Sequence, residues 1–188
     1  MTGEIELTPT SYIVLGLLSF SGPATPYDLK QMVTATVGHF WSLPHSQLYA
    51  EPTRLARAGY VTENQEKSGR RRKLYTLTEP GRDAFNEWLS TLTPELYMLR
   101  DLALLKLFFG ADIGELAAVQ LETHRKRLDE YETLHTLMAG QKGPAGPRLS
   151  LELGIRHERE TVNFWAEQAH PGKKKPAPRP PRASPRSG

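Results

Sequence analysis

The stretch Lys67-Ser68-Gly69-Arg70-Arg71-Arg72-Lys73 decides the fold. It places a Ser-Gly turn and four successive cations between two segments rich in β-branched and aromatic residues, Tyr60-Val61-Thr62-Glu63-Asn64 and Lys73-Leu74-Tyr75-Thr76-Leu77. That pattern reads as a β-hairpin with a cationic tip. Three short helical patterns come directly before it. The order helix, helix, helix, hairpin is that of a winged helix-turn-helix.

Working outward, Ile13, Gly16, Leu17 and Phe20 recur at three- and four-residue steps and write a first helix. Thr8 or Thr10 is available to cap it, and Ser21-Gly22-Pro23 ends it. Thr25-Pro26-Tyr27-Asp28 combines a capping hydroxyl, a proline at the first helical position and an acid three residues on, so it opens a second helix. Its expected buried stripe is Leu29, Met32, Val33, Val37 and Phe40. After a turn over 38–44, a third helix is expected from about His45 to Ala58, with Leu48, Leu55 and Ala56 inward and Gly59 as terminator. Pro52 lies inside it and predicts a kink or a later start, since an interior proline costs about 3 kcal/mol. Thr78 caps a fourth helix with Ala84, Phe85, Trp88 and Leu89 on its buried side, and Thr93-Pro94 closes a first domain spanning 1–92.

Such a module reads DNA by laying its third helix in the major groove, where first-turn side chains reach base edges. Ser46, Gln47 and Tyr49 are the appropriate types there. Gln47 is suited to a bidentate pair with adenine, Ser46 and the Tyr49 hydroxyl to phosphate or base edges, and His45 to a backbone contact. Tyr49 alternatively packs over the junction of helix and hairpin. Arg70, Arg71, Arg72 and Lys73 are expected to alternate along a strand, directing at least two cations at phosphate.

The second half reads as helical throughout, a domain spanning 93–170. One apolar helix runs from Leu96 to Phe109, and Asp112-Ile113-Gly114-Glu115 starts a long one reaching about Met138. Along the latter, Ala117, Leu121, His124, Leu128, Tyr131, His135 and Met138 alternate by four and three residues, a heptad seam suited to pairing two copies. Its alternative is packing within one subunit. His124 and His135 are eleven residues apart, about 16 Å along a helix, too far to share a metal. A last helix, Leu149 to Ala169, carries Leu151, Ile155, Val162 and Trp165 on one stripe. Trp165 joins the expected dimerisation set, and two modules about 34 Å apart would match a palindromic operator.

Among 188 residues there is no cysteine, which excludes disulfides, thiolate metal sites and cysteine nucleophiles. No apolar run approaches a membrane span and no secretory signal is visible, so a cytoplasmic protein is expected. The formal charge of +3 conceals an uneven division. The segment 171–188 holds six Lys and Arg and no acid, which leaves the remainder with eighteen bases against twenty-one acids, net −3. That Pro- and base-rich segment is expected to remain disordered and to add nonspecific DNA affinity. There is no phosphate-cradling glycine motif, no Gly-x-Ser-x-Gly elbow and no second histidine beside His157-Glu158, so neither an enzyme nor a cofactor is expected. The remaining rival is a winged helix that binds protein instead of DNA. The arginine run argues against it, because protein interfaces seldom expose so much unneutralised charge.

Tyr12 to Phe20, the segment Phe40 to Gly59, and Gly69-Arg70-Arg71-Arg72-Lys73-Leu74-Tyr75-Thr76-Leu77-Thr78-Glu79-Pro80-Gly81-Arg82 resemble the PadR family of transcriptional regulators. Leu99 to Phe109 and Gly154 to Trp165 resemble the helical C-terminal domain of its longer, virulence-activator-like members. The resemblance implies a homodimeric repressor of neighbouring genes that is relieved by a small aromatic or hydrophobic ligand. It also implies DNA roles for Ser46, Gln47, Tyr49 and the arginines of the hairpin. Trp41, Trp88, Phe108, Phe109, Phe164 and Trp165 are the aromatic residues available to line an effector cavity.

Overall fold

The computed structural model describes residues 5–65, 71–94, 100–140 and 143–169. The chain divides into two compact units, Met1–Leu96 and Tyr97–Gly188.

The first unit contains α1 (Pro9–Ser21), α2 (Pro26–Ala35), a 3-10 turn (Val37–His39), α3 (His45–Arg57), strands β1 (Val61–Gln65) and β2 (Lys73–Leu77), and α4 (Glu79–Ser90). Its boundaries follow the caps. Thr8 and Ser11 close a reciprocal capping box on α1, Thr25 and Asp28 do so on α2, and the Thr78 hydroxyl accepts from the Gly81 amide on α4. Gly59, at φ +84°, turns the chain out of α3. The Tyr60 amide then bonds back to the Leu55 carbonyl at 3.0 Å, a left-handed termination that favours glycine.

The strands pair antiparallel from Val61 opposite Leu77 to Gln65 opposite Lys73. Ala24 and Tyr75 exchange both backbone hydrogen bonds, so the linker between α1 and α2 is stitched to β2. At Gly81 a Cβ would fall 2.0 Å from the Tyr60 carbonyl oxygen, and only glycine lets α4 start so close to β1.

The core of this unit is Val14, Leu15, Leu18, Leu29, Leu48, Leu55, Val61, Tyr75 and Phe85. It departs from the expected stripes. In α1 Gly16 and Leu17 are buried as expected and Val14, Leu15 and Leu18 join them, while Ile13 is only half-buried and Phe20 is exposed. Phe40 is exposed as well, because α2 ends at Ala35 and the chain tightens into the 3-10 turn. On α4 only Phe85 is deeply buried, its ring against Gly16. Trp88 lies flat on Tyr12 with ring centroids 4.6 Å apart. Pro52 neither shortens nor divides α3. It is buried within the continuous helix, and its packing offsets the hydrogen bond its nitrogen cannot donate.

A polar network binds α1 to α3. The Ser11 hydroxyl donates to Glu51 Oε1 at 2.6 Å, and Arg54 grips the same carboxylate with two hydrogen bonds of 2.7 and 2.9 Å. Arg54 also donates to the Ser11 hydroxyl and to the Glu6 carbonyl, tying down the segment before α1. Burial pushes the Glu51 carboxyl up, but hydrogen bonds from Arg54 and Ser11 and the Arg54 charge outweigh it and hold it below its ordinary range.

The second unit contains α5 (Leu102–Phe108), α6 (Ile113–Met138) and α7 (Ala145–Ala169). Asp101 caps α5, shorter than the helix expected from Leu96 to Phe109, and Asp112 caps α6. The last helix begins four residues before Leu149, because Pro147 falls in its first turn, where a missing N–H costs no intrahelical bond. Helices α6 and α7 form an antiparallel hairpin. Ala103, Ala117, Leu121 and Trp165 make its core.

Because Glu51 titrates lower folded than unfolded, its contribution is complete above the unfolded value and is lost as pH falls through the folded one. Glu51→Gln should therefore lower stability at pH 7 by about 1–2 kcal/mol, discounted for the partial exposure of Arg54. The difference from the unsubstituted protein should shrink on acidification below about pH 4. Urea melts from pH 7 to 3.5 check this, and a difference independent of pH would show that the carboxylate charge carries none of it.

Candidate nucleic-acid interface

The solvent-facing side of α3 follows from its period. Leu48 and Leu55, seven residues apart, are fully buried, which turns Ser46, Ala50 and Arg57 to the opposite side. His45, Ser46, Gln47 and Tyr49 are all exposed. Tyr49 is 48% exposed. Pro44 precedes α3 and supplies no side-chain cap, so the first amides of this helix are not claimed by a capping side chain. Such amides are suited to a phosphate oxygen.

Gln47 is held. The Thr10 hydroxyl, on the first turn of α1, donates to its Oε1 at 3.0 Å.

The hairpin is less uniform than four cations in a row suggest. Arg70 lies outside the described residues. Arg71 and Arg72 precede β2 instead of lying in it, and Arg71 adopts φ +48°. Alternation along a strand therefore does not set where they point. The backbone is turned at Arg71, and its carbonyl accepts from the Gln65 side-chain Nε2 at 3.3 Å. Both arginines are exposed. The Asp28 carboxyl, on the first turn of α2, is lowered mainly by hydrogen bonds from the Thr25 hydroxyl and amide and slightly by the Arg72 charge. Lys73 does lie in β2, but its ammonium is 2.8 Å from Glu63 Oε1 across the hairpin.

Glu63 belongs to a relay that sequence reasoning did not find. Tyr75, almost wholly buried, donates its hydroxyl to Glu63 Oε2 at 2.8 Å and lies 2.9 Å from the Thr53 hydroxyl of α3. Burial pushes the Tyr75 phenol up. The Lys73 and Tyr75 hydrogen bonds hold the Glu63 carboxyl below its ordinary range. The chain Thr53, Tyr75, Glu63, Lys73 locks the stem of the hairpin to α3. Between them runs an open polar groove lined by Thr53, Arg57, Glu63, Asn64 and Lys73. Arg57 is the cation missed from sequence. It sits eleven residues after Ser46, three turns along the same face, and is exposed.

The expected dimerisation seam is placed differently. Leu121 and Tyr131 are buried in the chain's own hairpin of α6 and α7, with Trp165 and Ile155. His124 Nδ1 lies 2.6 Å from Glu158 Oε2 of α7. Leu128 and Met138 are half-buried and His135 is exposed. Within this chain Leu121, His124, Tyr131 and Trp165 take part in the packing of α7 on α6. Outward apolar residues of this unit include Leu102, Leu105, Phe108 and Phe109 at α5, Val119 and Leu137 on α6, and Leu149 and Leu153 on α7. Of the aromatics considered for an effector, Trp41 and Trp88 belong to the first unit. Phe108 and Phe109 meet edge-on at 5.2 Å in the second, and Trp165 is core.

A three-helix module with a two-stranded wing, followed by a helical unit, defines a winged-helix regulator. Residues 14–87 match the transcriptional regulator PadR-like family, and residues 99–171 match the virulence activator alpha C-terminal domain. The chain belongs to the PadR-like family of transcriptional regulators, with a virulence-activator-like C-terminal domain. It is 27% identical over 170 residues to the negative transcriptional regulator PadR of Bacillus subtilis, covering 83% of this chain and 92% of that one. The crystal structure of Bacillus subtilis PadR in complex with operator DNA superposes with a TM-score of 0.76 at 27% identity, over 87% of this chain and 97% of that one. The same regulator in complex with p-coumaric acid gives 0.71 at 26% identity, over 90% and 100%. The Vibrio cholerae virulence activator AphA shares the fold, with a TM-score of 0.64 at 24% identity over 86% and 96%. Among the described residues no helix is long and apolar enough to cross a membrane.

Arg57→Ala should lower the slope of log affinity against log salt by about one, the loss of one phosphate contact. Lys73→Ala should lower it less, because Glu63 already neutralises that ammonium. Glu63→Gln should raise affinity for all duplexes. Fluorescence anisotropy at several salt concentrations measures all three, and a Lys73 effect as large as that of Arg57 would remove the role given to Glu63.

Proposed function

We propose that this protein is a sequence-specific DNA-binding repressor that acts as a homodimer on a palindromic operator near its own gene and is released by a small aromatic or hydrophobic ligand. The observation that carries the reading is the exposed face of Ser46, Gln47, Tyr49 and Arg57 on α3, locked through Tyr75 to a wing bearing Arg71 and Arg72. The operator-bound relative, similar over nearly its whole length, supports DNA as the partner. The p-coumaric acid complex of that same relative supports a phenolic or similarly flat ligand as effector.

Division of labour follows from chemistry. Arginines before β2 supply sequence-independent affinity through phosphate, and the first turn of α3 supplies discrimination. Dimerisation is assigned to the outward apolar residues of the C-terminal unit, Leu102, Leu105, Phe108, Phe109, Leu149 and Leu153, because so much exposed apolar surface favours association. Two reading helices on one face of the duplex supply the length of contact that a single module lacks.

Sedimentation of the full chain with a duplex from its own upstream region should give two chains per duplex and a Kd of about 10⁻⁸ M or tighter at physiological salt. Arg71→Ala combined with Arg72→Ala should weaken binding to every duplex and flatten the salt dependence. Titrated p-coumaric acid or a related phenolic acid should release the DNA. A monomer that binds its upstream region no better than unrelated DNA would overturn the proposal.

A further inference from the structure

We infer that Thr10 is a specificity-determining residue, which sets Gln47 to read hydrogen-bond acceptors and so to prefer guanine over adenine at its base pair. This rests on the proposal that α3 reads DNA and adds to it which edge Gln47 recognises.

The geometry carries it. A glutamine carboxamide has an acceptor end and a donor end, and when free it can present both to adenine, accepting from N6–H and donating to N7. Here the oxygen is held toward α1, with one of its two lone pairs filled. Thr10, only 8% exposed, donates its hydroxyl to Gln47 Oε1 at 3.0 Å across 37 residues of sequence. The carboxamide is planar, so holding the oxygen toward α1 turns the NH2 group the other way. Gln47 is exposed on the first turn of α3, and what it offers outward is two N–H donors. In the major groove guanine presents two acceptors, N7 and O6, with no donor between them, whereas adenine presents N7 beside an N6 amino group that would face another donor.

Thr10 is placed firmly enough to impose this. It adjoins Ser11, whose hydroxyl is fixed by Glu51, and Gln47 and Glu51 are one turn apart on α3. The first turn of α1 therefore grips α3 through two neighbouring hydroxyls. The inner one joins a buried carboxylate and holds the helices together. The outer one meets an exposed amide and adds little to stability, so its effect falls on the orientation of that amide.

The experiment uses the full chain and duplexes selected from a library randomised across the operator half-site, read by sequencing and by anisotropy on single-base variants. The unsubstituted protein should prefer guanine to adenine by roughly fivefold or more at one position per half-site. Thr10→Val, nearly the same shape without the hydroxyl, should shift that position toward adenine or level it. It should leave the other positions, the affinity for unrelated duplex and the Tm unchanged, and Thr10→Ser should restore the guanine preference. In Gln47→Ala the preference should vanish and Thr10→Val should have no further effect. If Gln47→Ala leaves the selected site unaltered, the DNA-reading role of Gln47 fails, and this inference with it. If Gln47→Ala alters one position but Thr10→Val leaves the guanine preference intact, or if that position prefers adenine from the start, the role of Thr10 fails and the DNA-reading role stands.

Discussion

The grip of Ser11 and Arg54 on the Glu51 carboxylate is the constraint on which the DNA-reading unit depends. A carboxylate with so little exposed surface is tolerable only when its charge and lone pairs are met, and here one guanidinium and one hydroxyl meet them. The ion pair itself lies within α3, and the Ser11 hydroxyl of α1 joins it by donating to Glu51 and accepting from Arg54, so this one hydroxyl sets the register of α1 on α3. Apolar packing of Val14, Leu18, Leu48 and Leu55 supplies the larger part of the stabilising energy, but a hydrophobic contact tolerates sliding and a directed, charge-assisted hydrogen bond does not.

From that fixed helix the rest of the interface is built by further polar links. Thr53, two residues after Glu51, meets the Tyr75 hydroxyl, and Tyr75 hands the connection to Glu63 and so to Lys73. The stem of the wing is thereby held to the reading helix by side chains, while the exchange of backbone hydrogen bonds between Ala24 and Tyr75 holds it from the other side. Acids lie among the bases throughout this surface. Glu63 neutralises one cation of the wing, and Arg57 supplies another from the helix. A reader with fewer unpaired charges relies less on indiscriminate phosphate attraction and more on its fit to the groove.

How much of this was legible in the sequence depends on the range of each interaction. Helix starts were legible because Thr8, Thr25 and Thr78 act on amides two or three residues away, and the end of α3 because Gly59 alone relieves a left-handed turn. The inward face of α1 was legible only in part: Gly16 and Leu17 are buried, but a run apolar on nearly every side carries little directional pattern, and Phe20 lies outside the core. The heptad along α6 was real but silent about its partner. A four-three repeat reports that a helix is covered along one stripe, and α7 of the same chain covers the part that holds Leu121 and Tyr131. The links from Ser11 to Glu51 and from Thr10 to Gln47 span 40 and 37 residues, and no local pattern marks them. Arg57 and the pairing of Lys73 with Glu63 were within reach. Counting three turns from Ser46 finds the first, and aligning β1 with β2 sets Lys73 opposite Gln65, diagonal to Glu63 on the same face, which finds the second.

Contact of the exposed first turn of α3 with DNA is the central requirement. Hydrogen exchange of the full chain, alone and with a duplex of its upstream region, measures this amide by amide, because the His45 and Ser46 amides come before the first backbone hydrogen bond of α3, from the Gln47 amide to the Pro44 carbonyl, and exchange quickly until something covers them. Strong protection at His45 and Ser46, accompanied by protection at Arg71 to Lys73, is the predicted result. Unchanged exchange across both segments while the duplex is bound would contradict it.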